Sequence, residues 1–274
     1  MYDFYFGKKE DIDNDPKKYL LTIKRMLPRW CNSIPDSEFV ALYDAVSELS
    51  LPENPVFVET GSGASTIVLC YFAVKTGGEL YTWDINGSKL YFLRSVLNDT
   101  LMRHFTGNNL NNHWKYIAFS SNSEYAGISI LKELNKKVNA CFLDSEHTLA
   151  VLMQEVKSVS EVLSDVSLVA IDDGNYSYRF QNTAYINMIR KKQNLPPIVE
   201  LPENIGKAHF WEEVRDYLEN NFSKVEHLDD NYKKTYQSDI FWSYYKTDRE
   251  VMAGFCMEKT DDLEHRFDAW KIYR

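Results

Sequence analysis

Three stretches of this chain bring acids and small residues together at spacings suited to chemistry. The first is Glu59-Thr60-Gly61-Ser62-Gly63-Ala64-Ser65, set between a β-branched apolar run and a longer apolar one. Glycines there let the backbone turn sharply and approach a ligand closely, while the acid can bind a cationic or hydroxylated group. A tight turn with no ligand is the plainer reading. The second is Asp84, at the end of the next strand-like run, where an acid can accept two hydrogen bonds from ribose hydroxyls. The third is a pair: Asp144-Ser145-Glu146-His147 and Asp172-Asp173-Gly174-Asn175, each following an apolar run. If those runs are neighbouring parallel strands, their acids converge on one crevice. Asp144, Asp172 and Asp173 would then repel one another unless a cation lies among them, which suits an oxygen-ligand site for a hard divalent ion such as Mg²⁺. Helix capping by Asp144 or Ser145 and a turn at Asp173-Gly174 are the alternatives.

The elements that must position these residues alternate in type. Val56 to Val58, Glu79 to Ile85, Trp114 to Phe119, Asn139 to Leu143 and Val166 to Ile171 read as strands. Between them, Ile67 to Val74 and Lys89 to Leu101 read as helices, and Leu149, Leu152, Val156, Val159 and Leu163 fall on one helical stripe. The alternation predicts an α/β fold of βαβ units around a mostly parallel sheet, with ligands beyond the carboxyl ends of its strands. Ahead of it, Ser37 can cap a helix carrying Phe39, Leu42, Val46 and Leu49, so residues 1–35 read as an N-terminal extension or cap and 36–274 as the main domain. After Asp173 the pattern loosens. Tyr178 to Lys192 and Ala208 to Asn221 are helix candidates, and Lys224 to Leu228, Asp239 to Tyr245 and Val251 to Met257 compete for a closing hairpin.

Bulk properties narrow the partners. With 274 residues, 44% of them hydrophobic, the chain can bury one sizeable core. Its net charge of −9 argues against a nucleic-acid partner, which demands clustered Lys and Arg. The short basic run Arg190-Lys191-Lys192 reads as a solvated helix end. No apolar stretch approaches the roughly 20 residues that a membrane-spanning helix needs, and the N-terminus lacks the apolar core of a signal peptide, so a cytoplasmic protein without a membrane partner is expected. The 4 cysteines show no metal spacing. The cluster Phe241-Trp242-Ser243-Tyr244-Tyr245 could stack on a sugar or phenolic ring, or form a buried edge strand.

A glycine-rich turn followed by Asp84 suits nicotinamide dinucleotides as well as S-adenosylmethionine. A dinucleotide fingerprint would place Gly where this chain has Thr66, and it needs no carboxylate at Glu59. S-adenosylmethionine has no pyrophosphate, but its ammonium can be oriented by an acid at the first strand's end. Together, Glu59-Thr60-Gly61-Ser62-Gly63, Asp84, Asp144-Ser145-Glu146-His147 and Asp172-Asp173 resemble the class I methyltransferases. Within them the chain looks most like the metal-dependent O-methyltransferase group that includes macrocin O-methyltransferase and, more distantly, catechol O-methyltransferase. The likeness covers roughly residues 37 to 230.

The resemblance implies a Rossmann-like methyltransferase fold with an antiparallel C-terminal strand. It implies that Glu59, Gly61, Ser62 and Gly63 hold the methionine part of S-adenosylmethionine, Asp84 the ribose, and Ser121, Asn122 and Ser123 the adenine, with Asp144 also near the cofactor. It further implies Asp144, Asp172 and Asp173 as ligands of a divalent metal. Two departures stand out. Ser121-Asn122 replaces the Gly-Asp common before the serine, and no lysine follows Asp144 as it does in catechol O-methyltransferase. On this reading an acceptor hydroxyl of a small molecule or saccharide, acidified by the metal, attacks the sulfonium methyl, with Asp144 and His147 as the catalytic pair. His147 could equally cap the next helix or orient Asp144. The Asp/Asn-Pro-Pro-Tyr turn of amino methyltransferases is absent, which disfavours nitrogen acceptors. A nicotinamide-dependent oxidoreductase and a noncatalytic Rossmann-like binding protein are the alternatives, and the N-terminal segment could pack across a homodimer interface.

Overall fold

The computed structural model describes residues 9–146, 148–174, 209–228 and 266–274. His147, the helix candidate at 178–192 with its basic run, the aromatic cluster at 241–245 and the strand candidates at 239–245 and 251–257 lie outside the described residues.

Five strands run parallel, with helices covering both faces of the sheet. They are β1 (Val56–Thr60), β2 (Glu79–Trp83), β3 (Trp114–Ile117), β4 (Val138–Leu143) and β5 (Leu163–Asp172). Two more strands, β6 (Lys224–His227) and β7 (Phe267–Tyr273), complete a seven-stranded sheet of order β3-β2-β1-β4-β5-β7-β6, with β7 antiparallel to both neighbours. This is a Rossmann-like α/β architecture with an antiparallel C-terminal strand. The order reverses between β1 and β4, so the crevice at a topological switch point opens above the carboxyl ends of β1, β2 and β4.

Side chains alternate between two cores. Phe57, Phe142, Ala170 and Phe267 face one apolar layer, while Val58, Cys141, Ile171 and Trp270 face the other. The first layer is closed by α3 (Asp36–Ser47), α4 (Ala64–Thr76) and α5 (Gly87–Asp99), the second by α8 (Leu149–Ser160) and α9 (Phe210–Asn221). The remaining described helices are short: α1 (Lys9–Asn14) and α2 (Pro16–Lys24) precede α3, while α6 (Leu110–His113) and α7 (Ile130–Glu133) flank β3 and β4.

Three sequence expectations need correction. The residue before α3 is Pro35, so Ser37 lies inside the first turn and is not its cap. Leu163 opens β5 and does not end the helical stripe, which stops with α8 at Ser160. The partner of β6 in the closing hairpin is β7, which was not among the strand candidates. The segment before Asp36 holds α1 and α2, whose Ile12, Tyr19, Leu20 and Ile23 are buried in the first core layer. A readable signal existed there: Asp15 caps α2 by accepting from the Lys18 N–H, and Pro16 occupies the first helical turn. A buried ion pair ties this segment down, since fully buried Lys24 donates to Asp36 at 2.8 Å.

Candidate active site

The glycine-rich turn joins β1 to α4, and its shape is set by neighbours within the protein. Gly61 has a φ of +76°, and a Cβ there would lie 1.7 Å from the Asp144 carbonyl oxygen. The close approach that demands glycine is therefore to the backbone after β4. At Gly63 an added Cβ would stand 3.1 Å from the Cys31 carbonyl oxygen, which places the 3-10 turn Arg29–Cys31 against the same loop.

Glu59 is fully buried, and both of its oxygens are engaged inside the loop. Ser65 donates to it at 2.6 Å, Thr66 at 2.9 and 3.0 Å, and Thr82 at 2.9 Å. Burial pushes its pKa up to about 7 against the opposing pull of those hydroxyls. The carboxylate expected to orient a ligand's ammonium also braces β1, β2 and the start of α4.

Asp84 follows β2 at the same rim. Its Oδ2 accepts from the Ser62 N–H at 2.9 Å and the Ser62 hydroxyl at 2.6 Å, and its Oδ1 accepts from the Asn86 N–H at 2.7 Å. The Lys89 ammonium stands 3.1 Å from Oδ2 and donates to the Ser62 carbonyl at 2.9 Å. Burial pushes the Asp84 carboxyl up, but the donors from Ser62 and Asn86 and the Lys89 charge outweigh it, so the group sits below its ordinary range. Two apolar side chains emerge beside it. Ile85 is 80% exposed and Phe119 59%, each two positions beyond the paired residues Trp83 and Ile117.

The loop after β3 turns back onto α8. Ser121 and Ser145 both donate to Glu155, the latter at 2.6 Å, and Thr60 donates to it at 3.2 Å. One buried acid on α8 therefore joins the end of β1 to the loops after β3 and β4. Burial holds its pKa up at about 7. Sequence reasoning missed Glu155, although an acid between Met153 and Val156 of an apolar helix face was a visible anomaly. Asn122 donates from Nδ2 to the Val151 carbonyl at 3.3 Å, while its buried Oδ1 has no hydrogen-bond partner. The Ser123 hydroxyl accepts from the Ala126 N–H at 3.3 Å.

Asp144, Asp172 and Asp173 do meet at the carboxyl ends of β4 and β5, lining a small cleft together with Ser145, Glu155 and Phe210. A side-chain cation lies among them. Arg266, 1% exposed, places Nη1 3.3 Å from Asp173 Oδ1 and Nε 3.7 Å from Asp172 Oδ1 and 3.2 Å from Glu38 Oε2. Among the described residues, no three His, Cys, Asp or Glu side chains are gathered so as to hold a metal ion. With a buried guanidinium already held by Asp172 and Asp173, these side chains as placed do not fit the divalent centre expected from Asp144, Asp172 and Asp173. Burial and the neighbouring Asp172 push the Glu38 carboxyl well up, against the lowering effect of Arg266. Asp173 has a φ of +52°, so the turn reading of Asp173-Gly174 also holds. The cap of α8 is Thr148, which leaves Asp144 and Ser145 free of that duty.

Comparison with known proteins came from three directions. Residues 58–174, from β1 to the turn after β5, match a family model described as a methyltransferase domain. No curated protein matches the chain in sequence. Similar solved structures include an rRNA methylase from Streptococcus thermophilus, at 9% identity and a TM-score of 0.40, covering 91% of this chain and 98% of that one. Geranyl diphosphate C-methyltransferase from Streptomyces coelicolor A3(2) is similar at 12% identity and a TM-score of 0.43, covering 93% and 82%. A SAM-dependent methyltransferase from Thiobacillus denitrificans is similar at 11% identity and a TM-score of 0.40, covering 93% and 96%. No described helix is long and apolar enough to cross a membrane.

Proposed function

We propose that this protein is an S-adenosylmethionine-dependent methyltransferase acting on a hydroxyl of a small, neutral, polyhydroxylated acceptor such as a saccharide. The observation that carries this reading is the rim shared by Asp84, the Gly61–Gly63 turn and the loop after β3, within the stretch that matches a methyltransferase domain.

The residues present fit the cofactor's nucleoside. Asp84 supplies carboxylate oxygens to ribose hydroxyls, with Lys89 and Ser62 holding it in place. Asn122 Oδ1 is a buried acceptor in want of a donor, which the exocyclic amino group of adenine provides. Ile85 and Phe119 offer apolar cover for a flat base. When bound, S-adenosylmethionine supplies an electrophilic methyl group on a sulfonium.

On the acceptor side, the cleft between the ends of β4 and β5 is lined by Asp144, Asp172 and Asp173. Carboxylates accept hydrogen bonds from hydroxyl groups and repel anions, which favours a neutral polyol over a phosphorylated acceptor. Asp144 is the group we assign to receive the acceptor's proton, with His147 as its neighbour in sequence. Most of the acceleration then comes from holding acceptor oxygen and methyl donor in line, a contribution worth up to about 7–11 kcal/mol. No step is assigned to a metal ion.

Isothermal titration with S-adenosylhomocysteine and with NAD tests the cofactor, and transfer from methyl-labelled S-adenosylmethionine to a panel of mono- and disaccharides tests the acceptor. Micromolar binding of S-adenosylhomocysteine that is lost in Asp84→Asn is the expected result. Binding of NAD in its place would return the nicotinamide reading, and cofactor binding with no transfer to any hydroxylated acceptor would sink the acceptor assignment.

A further inference from the structure

We propose that Arg266 is the resident cation of the acid cluster at the ends of β4 and β5, a positioning residue that orients Asp172 and Asp173 in place of a divalent metal. The backbone puts it there. In the antiparallel β5–β7 ladder Phe267 pairs with Asp172, and the Gly174 N–H donates to the Arg266 carbonyl at 3.2 Å, so Arg266 sits directly beside Asp173. Phe267 is itself anchored by stacking on Phe142 of β4, with ring centroids 6.2 Å apart.

The side chain completes the arrangement. Its guanidinium meets carboxyl groups from three separate elements: Glu38 of α3, Asp172 at the end of β5 and Asp173 in the following turn. A guanidinium does not give up its charge, so one that is 1% exposed needs anions around it. Equally, acids drawn together at adjacent strand ends need a cation, and one Arg answers both demands. A dication brought to the same oxygens would face this fixed positive charge.

The consequence for the acceptor rests on the methyltransferase reading. A guanidinium donates hydrogen bonds but offers no open coordination position, so it cannot bind an acceptor oxygen as a Lewis acid. It fixes the carboxylates as acceptors for a single substrate hydroxyl.

Mn²⁺ binding followed by electron paramagnetic resonance on the full chain tests the assignment without any turnover. The wild type and Arg266→Lys are expected to leave the free Mn²⁺ signal unchanged up to submillimolar metal. Arg266→Ala is expected to gain one site, at least tenfold tighter than any in the wild type, and to lose it again when combined with Asp172→Asn. A wild-type chain that takes up one Mn²⁺ lost in Asp172→Asn overturns the proposal, as does a folded Arg266→Ala that takes up none. If Arg266→Ala does not fold by circular dichroism, the wild-type, Arg266→Lys and Asp172→Asn titrations still decide. S-adenosylhomocysteine titration of the same samples separates the two readings, because its failure would sink the methyltransferase assignment and leave the cation assignment standing.

Discussion

The Ser62 hydroxyl donates to Oδ2 of Asp84 at 2.6 Å while the Ser62 N–H donates to the same oxygen at 2.9 Å. The turn after β1 and the residue after β2 thus share one carboxylate, and whatever binds at this rim meets a preset acceptor. Asp84→Asn keeps the shape but removes the charge, so S-adenosylhomocysteine affinity should fall by about tenfold or more, the size expected for losing hydrogen bonds to an ionised group. Ser62→Ala should cost less, because Asn86 and Lys89 still hold Asp84. Isothermal titration of both variants checks the order.

Gly61 and Gly63 should respond differently to the same small change. Gly61→Ala sets a Cβ 1.7 Å from the Asp144 carbonyl oxygen at a positive φ, so the loops after β1 and β4 must separate. A loss on the order of 4 kcal/mol, or failure to fold, is expected. For Gly63→Ala the contact is 3.1 Å to the Cys31 carbonyl, which a small shift of the N-terminal segment relieves. Urea denaturation of the pair would contradict this if Gly63→Ala proved the worse.

Two buried acids give the fold a pH dependence with a definite sign. Glu59 and Glu155 are both raised from 4.5 to about 7, primarily by burial. Between those values the folded chain binds more protons than the unfolded one, so their contribution is complete below about pH 4.5 and is lost as pH rises through about 7. Each shift corresponds to roughly 3 kcal/mol. Thermal unfolding across that range should show stability falling as pH rises, and Glu59→Gln with Glu155→Gln should flatten the curve. An unchanged slope in the double variant would refute the assignment.

Asp36 neutralises Lys24, which has no exposed surface, and also accepts from Arg25 at 2.7 Å. Asp36→Asn leaves a buried ammonium without its carboxylate, at a cost of about 3 kcal/mol. Proteolysis should then cut the segment of α1 and α2 first, since this ion pair joins it to α3. A variant as stable and as resistant as the parent would show that apolar packing of Leu20 and Ile23 alone holds the segment.

Much of the candidate site was legible because its parts are local. A β-branched run ending in Glu59-Thr60-Gly61 announces a strand and a turn, and Asp84, Asp144 and Asp172 each close an apolar run, so parallel strands had to carry them to one edge. The role of Glu59 was not legible. Ser65 and Thr66 look like ordinary helix-start residues, and nothing local says that their hydroxyls, with that of Thr82, turn inward to the acid.

Sequence alone determined the alternation of strands and helices and the rim where the acids gather, because periodicity acts through residue type and short spacing; for the charge among those acids it led to the expectation of a divalent metal. Only the tertiary structure placed a guanidinium beside them. Arg266 reaches Glu38, Asp172 and Asp173 through the antiparallel register of β7 on β5, a pairing between segments far apart in the chain. The same holds for Glu155, whose three hydroxyl donors come from the end of β1 and the loops after β3 and β4. Such contacts are set by how whole elements pack, and no local pattern of residues encodes them.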